Sequence, residues 1–265
     1  MTRKAARPSP DGGRITSSVD ARGAGLLAIE GHNSLNLLTG GLIAELVSAI
    51  RTLSRRRDIR VLVVTGAGER AFVGGASLHD MSKLTPPSAR RFITNLHRAC
   101  HGLRTFPVPV IGRIRGHCIG AGLELAVSCD LRVASEDARF AMPEVRVGIP
   151  SVIEAALLPQ LVGWGRTREL LYTGNAIGAQ KAFEWGLVDR LVPAARLDAE
   201  VESLVAPVLE CGPNAIRLQK KLMHKWENLP VDRAVKAGIG AFAESFRVSE
   251  PKERMQAFLD RKKPE

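Results

Sequence analysis

The chain has 265 residues, 45% of them hydrophobic and 25% charged, which is enough for one sizeable core with an extension and too apolar for a disordered chain. No apolar run approaches the roughly 18 residues that a membrane-crossing helix needs. The net charge of +11 suits an anionic partner without choosing among nucleic acid, acidic lipid and a phosphorylated small molecule. The excess Arg is spread over 51–60, 90–91 and 113–115, and with 5% aromatics and a single Tyr base stacking has few candidates.

The opening "MTRKAARPSPDGGR" is Arg-rich but has no apolar segment behind it, so it does not read as a secretory signal; residues 1–15 are expected to form a loose, solvated tail. From about Thr16 short β-branched runs alternate with helical patterns. "LTGGLIAELVSAIRTLSRR" predicts a helix capped by Thr39, with apolar spacing through Leu42, Leu46 and Ile50. "RVLVVTG" (60–66) reads as a strand, and "PPSARRFITNLHRACHGL" as a helix opened by proline. "VPVIGRIRG" (108–116) and "LRVASEDARFAM" (131–142) read as further strands or strand pairs. This rhythm predicts an α/β core over 16–195. After about residue 154 the strands are expected to stop, leaving successive helices and a helical C-terminal region over 196–265. Cys100, Cys118, Cys129 and Cys211 form no C-x-x-C pair and are expected to be reduced thiols in a cytoplasmic compartment.

One stretch, "IGAGLELAVSCD" (119–130), sets Gly120-Ala121-Gly122 at the start of an apolar helical run and puts the carboxylate of Glu124 where that run should be dry. Backbone N–H groups near Ala121 and Gly122 are then free at a helix start, a ready oxyanion donor. A second small-residue turn, "FVGGASLHDM" (72–81), follows a strand and offers another N–H around Gly74-Gly75-Ala76. Two such donors on one oxygen polarise a carbonyl. Glu144 lies in "FAMPEVRVGIP", again behind an apolar strand. Two partly buried carboxylates make a sensible acid/base pair, because burial and mutual repulsion leave one protonated and one ionised. The spacing alone equally allows each to cap a helix or pair with Arg.

Other signals carry less. "TGAG" after the strand at 61–65 lacks the full G-x-G-x-x-G of a dinucleotide turn. His97 and His101 are spaced for a shared helix face but have no third ligand in reach of the pattern; they are expected on a solvated or subunit-facing surface. His79 and His117 fall in the two donor turns, where each either meets a ligand or satisfies a local carbonyl.

The four blocks "VLVVTGAGERAFVGGASLHDM", "PVPVIGRIRGHCIGAGLELAVSCDLRVASEDARFAMPEVRVGIP", "LLYTGNAIGAQKAFEWGLVDRLVP" and "FRVSEPKERMQAFLDRKKP" together resemble the crotonase superfamily, that of the enoyl-CoA hydratases and isomerases, with a weaker match at "NSLNLLT". The resemblance covers most of the chain from about residue 60. It implies an α/β fold, a spiral of repeated ββα units with a helical C-terminal trimerisation region, and a homo-oligomer, a trimer or a hexamer made of two trimers. The implied ligand is an acyl-CoA thioester, coenzyme A being part of the substrate and no separate cofactor or metal being needed. The oxyanion-hole positions fall on Ala76 and Ala121 and the hydratase glutamates on Glu124 and Glu144. By that analogy Glu144 delivers the Cα proton while Glu124 helps activate water in the reversible hydration of a trans-2-enoyl-CoA to a 3-hydroxyacyl-CoA. Isomerases of the family often keep only the glutamate matching Glu144, so the presence of both favours hydration.

Coenzyme A is expected against the backbone near Ser34, Leu35 and Asn36 and the turn of Gly74 and Gly75, with Lys262 and Lys263 as weaker candidates for its phosphates. Leu78 and Met81, with Leu84 and Phe92, are either acyl-pocket lining or core. The sequence departs from the family at Ser77, where the first turn usually has Asp, and at Val152-Ile153-Glu154, where a Gly-rich turn is usual. Bulk there puts pocket shape in doubt, and Glu154 is expected at a surface or a helix N-terminus in preference to a third pocket acid. Another crotonase reaction (isomerisation, thioester hydrolysis or a lyase step) is the alternative within enzymes. RNA binding by the basic surface is the alternative from another class. No membrane partner is expected.

Overall fold

The computed structural model describes residues 13–261; most of the expected tail, and Lys262 and Lys263, lie outside the described residues. The first strand, β1 (Arg14–Val19), begins two residues inside the segment expected to be tail and pairs antiparallel with β2 (Ala24–Glu30). Helix α1 (Gly40–Ser54) follows, with Thr39 Oγ1 accepting the Leu42 N–H at 3.1 Å as its N-cap. The spacing read from the sequence holds, since Leu42, Leu46 and Ile50 are buried.

The chain then repeats one pattern. Strands β3 (Val61–Gly66) and β4 (Ala71–Val73) precede the short α2 (Leu78–Met81) and the long α3 (Pro86–Arg104). Strands β5 (Val110–Ile114) and β6 (His117–Ile119) precede α4 (Ala121–Val127). Strands β7 (Leu131–Ser135) and β8 (Arg139–Ala141) precede 3-10 turns at Glu144–Val147 and Ile153–Leu157. In each unit the first strand joins a six-stranded sheet of order β1-β2-β3-β5-β7-β10, where β10 is Arg190–Val192, and the second joins a four-stranded sheet of order β4-β6-β8-β9, where β9 is Ile177–Gly178. This alternation is the spiral of ββα units that the family resemblance implied.

Beyond residue 154 come α5 (Leu158–Val162), α6 (Trp164–Thr173), β9 (Ile177–Gly178), α7 (Ala179–Glu184), β10 (Arg190–Val192), α8 (Leu197–Glu210), α9 (Pro213–Trp226), α10 (Val231–Ser245) and α11 (Glu250–Arg261). The expectation that strands stop at 154 is therefore corrected. β9 closes the small sheet antiparallel to β8, and β10 extends the large sheet parallel to β7. At two and three residues these strands are too short for a period-two pattern to register.

All six residues of β3 are buried, as expected of a central parallel strand covered on both faces. One face meets the main core, where α1 and α3 pack together through Leu46, Ile50, Leu96 and Leu103. The other meets a smaller core in which Val61, Val63, Ile111 and Val133 pack against Leu197, Val201 and Val205 of α8. Among the described residues no helix is long and apolar enough to cross a membrane.

Candidate active site

Strands β4, β6 and β8 are parallel neighbours in the small sheet, with Val73 beside Cys118 and Ile119 beside Ala141. Their carboxyl ends therefore deliver the Gly74–Ser77 turn, the Gly120-Ala121 turn and the Pro143-Glu144 turn to one place. Two glycines make the approach close enough. A Cβ on Gly122 would fall inside the Val73 carbonyl oxygen, so α4 runs directly against the end of β4. Gly120, at φ 53°, is 2.5 Å from Glu144 Oε1 when given a Cβ; only glycine combines this left-handed backbone with a carboxylate lying against it.

The donors expected at Ala76 and Ala121 have the right local environment. Leu38 bridges Ala76 in parallel fashion, its N–H going to Gly75 O (2.9 Å) and its carbonyl accepting from Ser77 N–H (2.8 Å). Both bonds belong to the residues flanking Ala76, so the Ala76 N–H points away from this bridge. Ala121 opens α4, where no helical carbonyl lies four residues back to take its N–H. The Gly75 turn itself packs on the Ile119 carbonyl, which sets the two turns side by side. Ser77, the departure from the family pattern, is buried and caps α2 by accepting the Asp80 N–H.

Glu124 is 4% exposed. Burial first, then the nearby negative charge of Glu144 and that of Glu154, push its carboxyl up to about 8, while the Ala155 backbone N–H offsets part of the rise. It therefore holds a proton at neutral pH. Glu144, half-buried, accepts the Ser151 hydroxyl on Oε2 at 2.8 Å. The arrangement is two carboxyl groups set beside the Gly74–Ser77 and Gly120-Ala121 turns, a grouping able to take up and deliver protons.

The remaining candidates divide. Leu35 O accepts the Gly74 N–H at 2.7 Å, tying the 34–36 segment to the first donor turn. The Asn36 side chain is wholly engaged within the protein, with Oδ1 accepting from Gly31 N–H and Nδ2 donating to Ala67 O and Ala71 O; its contribution is to hold this segment, at φ 53°. Ser34 is exposed and accepts from Arg70 Nη1. Leu78 is exposed on α2 and Met81 half-buried, while Phe92 packs on the main core. His79 Nε2 lies 2.7 Å from Lys83 Nζ. Among the described residues no cluster of three His, Cys, Asp or Glu side chains is set to hold a metal ion.

Glu154 requires a correction. It stands in the first turn of a 3-10 helix, as a helix-start role would have it, but it is 3% exposed. His97, exposed on α3 as a solvated surface requires, donates its Nδ1–H to Glu154 Oε1 at 2.9 Å, and Glu154 Oε2 is buried without a partner. Ile153, at φ 40°, turns the chain so that the acid faces inward. A carboxylate inside the apolar run "VIEAALL" carried the same signal that singled out Glu124. Ser151 had no such signal.

Residues 22–265 fit the family model for enoyl-CoA hydratase/isomerase. The chain is 34% identical over 239 residues to a crotonyl-CoA hydratase from Syntrophomonas wolfei, covering 90% of this chain and 92% of the relative. It is 30% identical to a short-chain-enoyl-CoA hydratase from Clostridium acetobutylicum, covering 91% and 92%. Among solved structures, an enoyl-CoA hydratase from Mycobacterium smegmatis superposes with a TM-score of 0.90 at 28% identity, covering 95% of this chain and 98% of that one.

Proposed function

Because the chain belongs to the enoyl-CoA hydratase/isomerase family, we propose that it adds water reversibly across the double bond of a trans-2-enoyl-CoA, giving a 3-hydroxyacyl-CoA. The observation that carries this reading is the meeting of two carboxyl groups, Glu124 and Glu144, at the glycine turn that opens α4 at Ala121. In this reading the Ala76 and Ala121 N–H groups hold the thioester oxygen. Charge drawn onto that oxygen makes Cβ electrophilic and stabilises the enolate-like state that follows attack. A water between the glutamates loses one proton to the carboxylate as its oxygen bonds to Cβ. The carboxylic acid gives its proton to Cα. The resting proton sits on Glu124, whereas the family analogy takes the Cα proton from Glu144. The two therefore act as one coupled unit whose proton is placed when substrate and water enter.

Coenzyme A is proposed to lie along the 34–36 segment and the Gly74-Gly75 turn, with Leu78 and Met81 facing the acyl chain; the exposure of Leu78 beside the first donor turn supports this. Assembly into a trimer or hexamer is proposed from the apolar stripe of α10, where Ile239 and Phe242 are each 68% exposed on the isolated chain. A cytoplasmic location accords with the four free thiols.

The test follows loss of the conjugated-thioester absorbance when the protein meets crotonyl-CoA. The wild type is expected to be active and Glu124→Gln and Glu144→Gln to fall by about two orders of magnitude each. A wild type that binds CoA thioesters but leaves crotonyl-CoA unchanged rules out short-chain hydration.

A further inference from the structure

The Val152–Leu157 segment sets a β-branched residue in left-handed backbone, Ile153 at φ 40°, directly before a buried acid. Strain of this kind persists only where surrounding contacts over-determine it, and it concentrates at functional sites. A buried carboxylate with one oxygen unpartnered is a second expensive feature at the adjacent residue. The 153–157 turn packs against α3, α4 and α5. From α3 it receives the His97 hydrogen bond, with Cys100 and Arg104 also near Glu154; α4 contributes Glu124, and α5 brings no titratable side chain. Glu144 also bears on Glu124 with its charge.

We propose that Glu154, anchored by His97, is a positioning residue for Glu124: the pair fixes the 153–157 turn against α4 and sets a second negative charge behind the acid/base pair. Two consequences follow from the geometry. The His97 bond holds the turn whose next residue, Ala155, closes it by donating its N–H to Val152 O at 3.0 Å, and this turn packs directly on α4, which carries Glu124. The Glu154 charge, on the turn that packs against α4, adds to burial and to Glu144 in opposing the ionisation of Glu124. His97, with its side chain 48% exposed, is the link from this buried acid to solvent.

The kinetic part of this inference rests on the hydratase reading, so the deciding measurement does not use turnover. The infrared band of the protonated Glu124 carboxyl, assigned by its loss in Glu124→Gln, is followed against pH. In the wild type it should be half lost near pH 8. In Glu154→Gln, which keeps an acceptor for His97 but removes the charge, the midpoint of its loss should move to lower pH. A band that titrates identically in the two proteins overturns the electrostatic role. His97→Phe, at an exposed position, supplies the second arm with Glu154 left in place: kcat for crotonyl-CoA should fall roughly threefold to tenfold with KM held, and an unchanged kcat overturns the anchoring role. If the wild type does not hydrate crotonyl-CoA but the infrared shift is present, the hydratase reading fails while the Glu154–Glu124 coupling stands.

Discussion

At the scale of single residues, the raised Glu124 carboxyl links chemistry to stability. The folded protein binds this proton more tightly than the unfolded chain does, where a glutamate titrates at about 4.3. The group's contribution is therefore fully present below that value and is lost as pH rises through about 8. Thermal melts of wild type and Glu124→Gln should nearly coincide around pH 4 and separate as pH rises, the variant being the more stable at pH 9. Equal stability at pH 9 would show that the carboxyl is not in a dry site. The same proton sets an alkaline limit on catalysis: above about pH 8 the pair lacks an acid, so kcat/KM should decline there with a single ionisation. Gly122 is the other sensitive position, since a methyl group at residue 122 meets the Val73 carbonyl. Gly122→Ala is expected to cost about 3 kcal/mol or more in a denaturant melt and to lower activity, because relief of the clash moves the two donor turns apart.

Among the elements, the three short strands of the small sheet position the site, and the Asn36 side chain secures the segment beside them. Asn36→Ala strips partners from the Gly31 N–H and from the Ala67 and Ala71 carbonyls and puts alanine at φ 53°. It should destabilise by about 3 kcal/mol or more, with kcat falling further than the fraction unfolded accounts for. How far these elements could be read from the sequence depends on how local their causes are. Helices α1 and α3 were legible because they run 15 and 19 residues with a clear apolar face. The donor turns were legible because small residues must stand where backbone approaches backbone, and Glu124 because an acid in an apolar run is conspicuous. β9 and β10 were not legible, being too short to show a period. Nor was the side-by-side placement of β4, β6 and β8, which depends on pairings across the whole core. Glu154 stands in an apolar run and reads as one candidate pocket acid, but its burial was not legible, because its partner His97 lies 57 residues away and Ile153 beside it adopts an unusual backbone angle.

On the scale of the whole molecule, the helical C-terminal region leaves Val231, Val235, Ile239, Phe242 and Phe246 along one exposed stripe of α10. Their spacing of three and four puts them on one helix face, continued by Phe246 at its end, and the proposed assembly rests on that face. Mass photometry should find a trimer or hexamer for the wild type and smaller species for Ile239→Asp combined with Phe242→Asp; a monomeric wild type would remove the assembly reading. The alternation of consecutive strands between two sheets has a kinetic consequence. No donor turn meets its neighbour until a parallel crossover has closed, and such pairings form late because loop entropy must be overcome before any contact rewards it. Glu124 and Glu144 come together only once β8 has docked beside β6. Catalytic competence is thus an all-or-none property of the completed spiral: during refolding, recovery of turnover should trail recovery of helical signal, making the reaction itself a reporter of the last strand pairing to form.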